Sequence, residues 1–211
     1  TKRVRAAAAL PVAPEVILKG RTELSEDEKQ RLGLPVFVKP ARGGSSIGVS
    51  KVSTWEEFPA AVALALEDDE KILVEPEIVG QEVEIGVLHY ADGTLLASVP
   101  ALLAGIDDSD EGFYGFDTKY LDNVVTAEIP APIAPELTGK LRDMAIRAFE
   151  ALNCEGLSRV DFFVTEDSVY INEINTLPGF TPISMYPQVL AASGVEYPAL
   201  LEALIEQALA K

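Results

Sequence analysis

Two strand patterns joined by a two-residue turn constrain the fold of this chain more than any other feature of its sequence. Residues 157–165 are rich in Val and Phe, and residues 168–174 are rich in Val, Tyr and Ile. The polar pair Glu166-Asp167 between them is typical of a turn. We therefore expect the two strands to pair as a hairpin, since so short a connection joins antiparallel neighbours.

The expected hairpin carries polar side chains at a regular spacing. Because side chains alternate along a strand, Arg159, Asp161 and Phe163 share one face of the first strand. Glu173 and Asn175 share a face of the second strand for the same reason. If the strands pair, Asp161, Glu173 and Asn175 converge, and their oxygen atoms suit a hard cation such as Mg²⁺. Ordinary polar alternation on a half-exposed sheet is the alternative, because periodicity alone does not identify ligands.

The segment after the hairpin adds a second kind of binding group. Residues 175–181 are typical of a turn, and we expect a helix to begin at or near Ser184. The free backbone N–H groups at a helix start attract carboxylate or phosphate. A cation site, an arginine and an anion-binding helix start are therefore expected in one short stretch.

A lysine followed by a glycine-rich segment forms the other motif. Residues 34–40 are expected to form a buried strand carrying Lys39 near its end, and the sequence ARGGSSIGV follows before a strand at 49–52. A lysine in apolar surroundings requires an anionic partner, and glycine lets backbone N–H groups approach phosphate oxygens closely. The motif is not a P-loop, in which the lysine follows the glycines. A flexible hairpin with an uninvolved lysine is the alternative.

Composition limits the class of protein. With 211 residues the chain is long enough for one or two domains, and 48% hydrophobic with 24% charged residues is typical of a soluble globular protein. The net charge of −17 argues against nucleic acid and membranes as partners. The single Cys154 excludes an internal disulfide and favours a reducing, cytoplasmic location. Because the chain opens on Thr1 rather than Met, we expect a longer parent protein.

Five motifs occur in a specific order along the chain. They are Lys39 with ARGGSSIGV, ILVEPEIVGQEVEIGV, FDTKYLDN, GLSRVDFF and INEINTLPGFTPISMYP. Together they closely resemble the D-alanine–D-alanine ligases of the ATP-grasp superfamily. The resemblance implies an α+β fold whose two subdomains, residues 1–78 and 79–211, hold ATP between them.

The resemblance also implies a set of nucleotide and metal contacts. Lys39 and Lys119 would contact the phosphates, Glu75 the adenine amine and Glu82 the ribose. Asp161, Glu173 and Asn175 would hold two Mg²⁺ ions, with Mn²⁺ as a substitute. The full set of implied nucleotide-binding residues is Lys39, Ser45, Ser46, Glu75, Ile78, Glu82, Phe113, Lys119, Phe163 and Asn175.

The activity implied by the resemblance is the ATP-dependent joining of two D-alanines through an acyl phosphate, for peptidoglycan synthesis. Arg159 and the Gly179 backbone would surround the reacting carbonyl, and Ser184 with the Met185 backbone would seat the second substrate's carboxylate. Tyr120 would meet Ser45 when a lid at 104–120 closes. D-Lactate or D-serine as second substrate is an alternative.

One departure from the family pattern affects these expectations. Family members carry a further N-terminal domain of roughly a hundred residues, which supplies a glutamate for the first D-alanine and much of a homodimer contact. The sequence contains no counterpart of that domain. A nucleotide-binding unit without catalysis is therefore a further alternative for these 211 residues, and a homodimer is expected for the full-length protein.

Overall fold

The computed structural model describes residues 2–44, 46–104 and 126–210. The expected site residues Ser45, Phe113, Lys119 and Tyr120, and the expected lid beyond Ala104, lie outside the described residues. The elements follow one another as α1 (Lys2–Ala7), β1 (Val16–Lys19), α2 (Glu26–Leu32), β2 (Val36–Pro40), β3 (Ser50–Val52), α3 (Phe58–Asp68), β4 (Lys71–Pro76), β5 (Gln81–His89), β6 (Leu95–Ala97), β7 (Ala101–Ala104), β8 (Thr126–Glu128), α4 (Pro135–Ala151), β9 (Leu157–Val164), β10 (Val169–Asn175), α5 (Met185–Ala191) and α6 (Tyr197–Leu209).

The described part of the smaller of two compact units spans Ala13–Val79. Its sheet has the strand order β1-β4-β2-β3, and β2 pairs antiparallel with β3 across the glycine-rich segment, as expected. One face of the sheet is apolar because Val36, Val38 and Val74 alternate with the polar positions of their strands. This face packs on the buried side of α3, so the opposite face carries Lys39 and Glu75.

The larger unit comprises Thr1–Val12, Gly80–Ala104 and Thr126–Lys211. Its described strands are ordered β10-β9-β5-β7-β8, with β6 also pairing β5, and the expected β9–β10 hairpin is present. One sheet face packs its Val, Ile and Phe side chains against the apolar side of α4. On the other face α5 and α6 pack near Leu88. The polar side chains of β5, β9 and β10 lie further along this second face.

The N-terminal residues belong to the larger unit, which differs from the sequence-based division at residue 78. Leu10 is buried in the same core as the apolar residues of β5 and β9. The N–H of Ile171 in β10 donates to the carbonyl of Pro11 at 2.9 Å. Core packing and this hydrogen bond therefore join the first twelve residues to the larger unit. Among the described helices, none combines the length and the apolar character required to cross a bilayer.

Candidate active site

A β-bulge in β10 places the polar residues of the hairpin on one face. Val169 and Ile171 lie opposite Val164 and Phe162 in the core, but the register shifts at the next residue, so Glu173 lies opposite Asp161. Ile171 and Glu173 are two positions apart, so in a regularly alternating strand the Glu173 side chain would also point toward the core. The extra residue of a bulge re-aims the side chains that follow it. The bulge therefore brings Glu173 and Asn175 to the face of Asp161.

Arg159 lies at the centre of a charged cluster on this face. Its guanidinium donates to both Asp161 oxygens, at 2.7 and 2.8 Å, and its Nε lies 3.2 Å from Oε2 of Glu84 on β5. The side chains of Arg159 and Glu84 are 18% and 4% exposed. Burial by itself lowers the pKa of Arg159, but the charge and hydrogen bond of Asp161, with the charges of Glu84 and Glu173, raise it above its ordinary value. Arg159 is therefore fixed as a cation.

The amide of Asn175 completes the cluster. Its Nδ2 donates to Asp161 Oδ2 at 2.9 Å and to Glu173 Oε1 at 3.4 Å. Glu173 is exposed, whereas Asp161 is buried. The structure thus brings together the three residues that the sequence predicts as metal ligands.

The donor set of this cluster fits Mg²⁺ in chemistry. Two carboxylates and an amide offer the hard oxygen ligands that Mg²⁺ takes, and Mg²⁺ retains waters at its remaining positions. One arginine faces the carboxylates of Glu84, Asp161 and Glu173, so the cluster keeps a net negative charge that attracts a cation. The amide of Asn175 presents its nitrogen to Asp161 and must turn over to offer oxygen. No group of three or more His, Cys, Asp or Glu side chains arranged for a metal is found among the described residues, and this cluster supplies two carboxylates and an amide instead.

Two further expected nucleotide contacts lie on the same face of the larger sheet. Glu82 of β5 is directly opposite Phe163 of β9, one step along the ladder from the pair Glu84 and Asp161. Both Glu82 and Phe163 are half-buried. Glu82, Glu84, Asp161 and Phe163 therefore form a continuous patch on this face.

In the smaller unit an ion pair joins two expected nucleotide contacts. Lys39 Nζ lies 2.5 Å from Glu75 Oε2, and their side chains are 26% and 8% exposed. Lys39 pairs across the ladder with Leu73 and Glu75 with Phe37, so the ion pair runs diagonally between β2 and β4. The half-buried lysine thus has the anionic partner that its surroundings require. Ile78 is half-buried just after β4.

The glycine-rich segment is anchored to the start of β4. Arg42 donates to both carboxylate oxygens of Asp69, at 2.6 and 3.0 Å, and Asp69 also accepts from the N–H of Lys71. The hydrogen bond from Arg42 is the main cause that lowers the pKa of Asp69. Gly48 has a φ of 71°, and a Cβ there would lie 2.5 Å from the Asp68 carboxylate. Ser46, also at positive φ, is half-buried beside it.

A compact turn surrounds Ser184 before α5. The N–H of Thr181 donates to Ser184 Oγ at 3.1 Å, and the N–H of Ser184 donates back to the Thr181 carbonyl at 2.8 Å. A Cβ on Gly179 would lie 3.1 Å from Ser184 Oγ, so the glycine permits this close approach. The helix begins at Met185, as expected to within a residue, with Ser184 as its N-cap. Gly179, Ser184 and Met185 are thus neighbours in one turn.

The sequence alone does not single out three residues of these sites, Glu84, Arg42 and Asp69. Glu84 looked like an ordinary polar position of an alternating strand, and its burial against Arg159 follows only from the pairing of β5 with β9. The Arg42–Asp69 pair links positions far apart in sequence. A charged residue flanked by apolar neighbours, as in VEIGV, is the signal that could have identified Glu84.

This chain is similar to known proteins over nearly all of its length. A D-alanine–D-alanine ligase from Corynebacterium efficiens is 64% identical over 209 residues, which make up 99% of this chain and 58% of that protein. The structure of the D-alanine–D-alanine ligase from Coxiella burnetii matches with a TM-score of 0.83 and 36% identity, over 99% of this chain and 55% of that chain. The corresponding ligase from Bacillus anthracis, complexed with ATP, matches with a TM-score of 0.81 and 25% identity, over 99% of this chain and 64% of that chain.

These likenesses confirm the expected α+β, ATP-grasp fold. The chain spans about 58% of the length of the curated relative from Corynebacterium efficiens. The family model described as D-ala D-ala ligase C-terminus matches residues 5–206. The chain belongs to that family.

Proposed function

We propose that this chain carries the ATP- and metal-binding part of a ligase that joins two D-alanines. The observation that carries the proposal is the cluster of Asp161, Glu173 and Asn175 beside Arg159, because it combines hard oxygen ligands with a fixed cation on one sheet face. The 64% identical relative is a D-alanine–D-alanine ligase. Family membership and local chemistry therefore support the same activity.

Asp161, Glu173 and Asn175 would hold Mg²⁺, in the proposed arrangement two ions, with Mn²⁺ as a substitute. Bound Mg²⁺ would neutralise part of the phosphate charge, which reduces the repulsion between the phosphate and the approaching carboxylate. In the smaller unit we propose that Lys39, which pairs with Glu75 in this structure, turns part of its interaction to a phosphate of ATP when the nucleotide binds. Glu75 and the backbone near Ile78 would then read the adenine, and Glu82 the ribose.

The proposed reaction has two steps. A carboxylate oxygen of the first D-alanine attacks the γ-phosphorus of ATP, and ADP leaves, which gives an acyl phosphate. The amine of the second D-alanine attacks the acyl carbon, phosphate leaves, and the nitrogen loses a proton. Arg159 and the Gly179 N–H are proposed to donate to the oxyanion of this step. Positioned donors of this kind are typically worth roughly 3–4 kcal/mol each.

Arg159 suits this role because its position is fixed before substrate binds. Asp161 and Glu84 hold the guanidinium from two neighbouring strands, so no rearrangement is required when charge develops. The Ser184 hydroxyl and the Met185 N–H, at the start of α5, are proposed to receive the carboxylate of the second substrate. We place the whole protein in the cytoplasm, in cell-wall synthesis.

The test is a product assay with ATP, Mg²⁺ and D-alanine. It should be run on the 211-residue chain and on the same chain joined to the N-terminal portion of the Corynebacterium efficiens relative. We expect D-alanyl-D-alanine, ADP and phosphate in equal amounts from the extended protein. The 211-residue chain should bind a non-hydrolysable ATP analogue with Mg²⁺ yet form little dipeptide, because loss of substrate positioning removes much of catalysis.

Each outcome of this assay has a clear meaning. ATP turnover without dipeptide from the extended protein would contradict the ligase proposal. Competition with D-serine and D-lactate distinguishes the second substrate, since a mixed product would replace D-alanyl-D-alanine. Robust dipeptide formation by the 211 residues alone would show that the proposed division of labour is wrong.

A further inference from the structure

The carbonyl groups at the bulge in β10 point in an unusual direction. In a regular strand successive carbonyls point to opposite edges of the strand, so each edge receives every second one. Here the carbonyls of Ile171 and Asn172 both accept from Nη1 of Arg5, at 3.2 and 3.1 Å. Two consecutive carbonyls on one edge are a local disruption of the ladder, as a bulge produces. Arg5 binds both of them.

The N-terminal segment supplies this support from outside the sheet. β10 is at the edge of the described sheet, so its outer side is available to α1 and the residues after it. The N–H of Ile171 donates to the Pro11 carbonyl at 2.9 Å. Arg5 is only 3% exposed, so its guanidinium is enclosed at this edge. The N-terminal segment thus satisfies the outward-facing N–H and carbonyl of Ile171 and the carbonyl of Asn172.

The bulge in turn decides which way the expected metal ligands face. Without the extra residue, Glu173 and Asn175 would share the core face with Val169 and Ile171. With it they lie opposite Asp161 and Arg159. We propose that Arg5 is a positioning residue for the metal site, which it serves by holding the bulge that turns Glu173 and Asn175 toward Asp161.

The part of this inference that concerns metal binding rests on the proposed function. The test uses the 211-residue chain. Arg5→Met removes the donors and keeps most of the aliphatic side chain. Calorimetry would measure Mg²⁺ binding in the presence of a non-hydrolysable ATP analogue, and the analogue alone would be titrated in EDTA. We expect Arg5→Met to weaken Mg²⁺ binding about tenfold or more, as is typical when groups that orient metal ligands are lost. Binding of the analogue in EDTA should be unchanged.

Arg147 provides a matched control. Its Nη2 also donates to a carbonyl of the N-terminal segment, that of Ala8 at 3.1 Å, and among the described residues no hydrogen bond from Arg147 to the bulge is found. Arg147→Met should therefore bind Mg²⁺ as the wild-type chain does. Amide hydrogen exchange gives a readout independent of metal: Glu173 and Ile174 should exchange faster in Arg5→Met than in Arg147→Met.

The outcomes separate this inference from the proposed function. Wild-type Mg²⁺ affinity and exchange in a folded Arg5→Met protein would overturn the role of Arg5. If Arg5→Met does not fold, Arg5→Lys provides the test. An ammonium lacks the planar two-pronged geometry of the guanidinium, so Arg5→Lys should still lower Mg²⁺ affinity several-fold. Wild-type affinity in Arg5→Lys would overturn the inference. A wild-type chain that binds no Mg²⁺ would refute the proposed function, and with it the claim that Arg5 positions a metal site.

Discussion

Replacing Arg159 with methionine should destabilise the larger unit strongly. The guanidinium contacts Asp161 at 2.7 and 2.8 Å and Glu84 at 3.2 Å, and both acidic residues are buried. Arg159→Met removes the Arg159 cation from both of these buried carboxylates. Removal of one partner from a buried ion pair typically costs about 3–5 kcal/mol, chiefly because the remaining charge has lost its solvent and its partner. We expect a loss in this range.

Urea unfolding of the 211-residue chain at a series of pH values would measure this effect. Arg142→Met is the control, since Arg142 donates to the Ala97 carbonyl and its loss should cost about 1 kcal/mol. We expect loss of the Arg159 cation to raise the pKa values of these carboxylates relative to wild type, because an adjacent positive charge favours their ionised form. The stabilisation that they provide at neutral pH is then smaller, and less of it is lost as the pH falls. The difference from wild type should therefore shrink in acid. Equal midpoints at pH 7, or a difference independent of pH, would refute the reasoning.

Three further substitutions test the packing and the start of one helix. Gly86→Ala should cost about 1–3 kcal/mol by overpacking, because a Cβ there would lie 2.5 Å from Leu190 Cδ2. Gly139→Ala, inside α4, should instead stabilise by about 0.5–1 kcal/mol, because among the described residues nothing beyond the neighbouring helix backbone lies within 4 Å of a Cβ there. Thermal unfolding would contradict this reasoning if both substitutions shifted stability in the same direction. The hydrogen bond from Arg21, with that from Ser25, lowers the pKa of Glu28 to about 2. Glu28 therefore stabilises the folded chain above its unfolded pKa of about 4.3, and this contribution is lost as pH falls toward 2. The stability difference between wild type and Glu28→Gln should vanish over that interval, and a constant difference would contradict the assignment.

The elements that depend on local pattern were predictable from the sequence. The apolar residues of α4 (Pro135–Ala151) recur at helical spacing, and that spacing alone indicates which side of the helix is buried. The β9–β10 hairpin and its turn also follow from residue type. Alternation correctly places Arg159, Asp161 and Phe163 on one face of β9 because that strand is regular.

The bulge could not be derived from alternation because it depends on tertiary contacts. The sequence does show that the alternation of apolar residues shifts by one position. Val169 and Ile171 are core residues at odd positions, and the next apolar residue that packs on this core is Ile174, at an even position. That change indicates a shift but does not locate the support from Arg5, which is remote in sequence. The assignment of α1 to the larger unit has the same cause. Long-range packing decided both features.

The central claim is that the polar face of the β9–β10 hairpin binds Mg²⁺ together with ATP. The substitution Glu173→Gln tests this claim most directly. Calorimetry with Mg²⁺ and a non-hydrolysable ATP analogue would compare it with wild type and with Glu166→Gln, which makes the same change at the exposed hairpin turn. We predict that Glu173→Gln loses Mg²⁺ binding while its thermal unfolding and that of the control match wild type. Unchanged Mg²⁺ binding in Glu173→Gln would contradict the account.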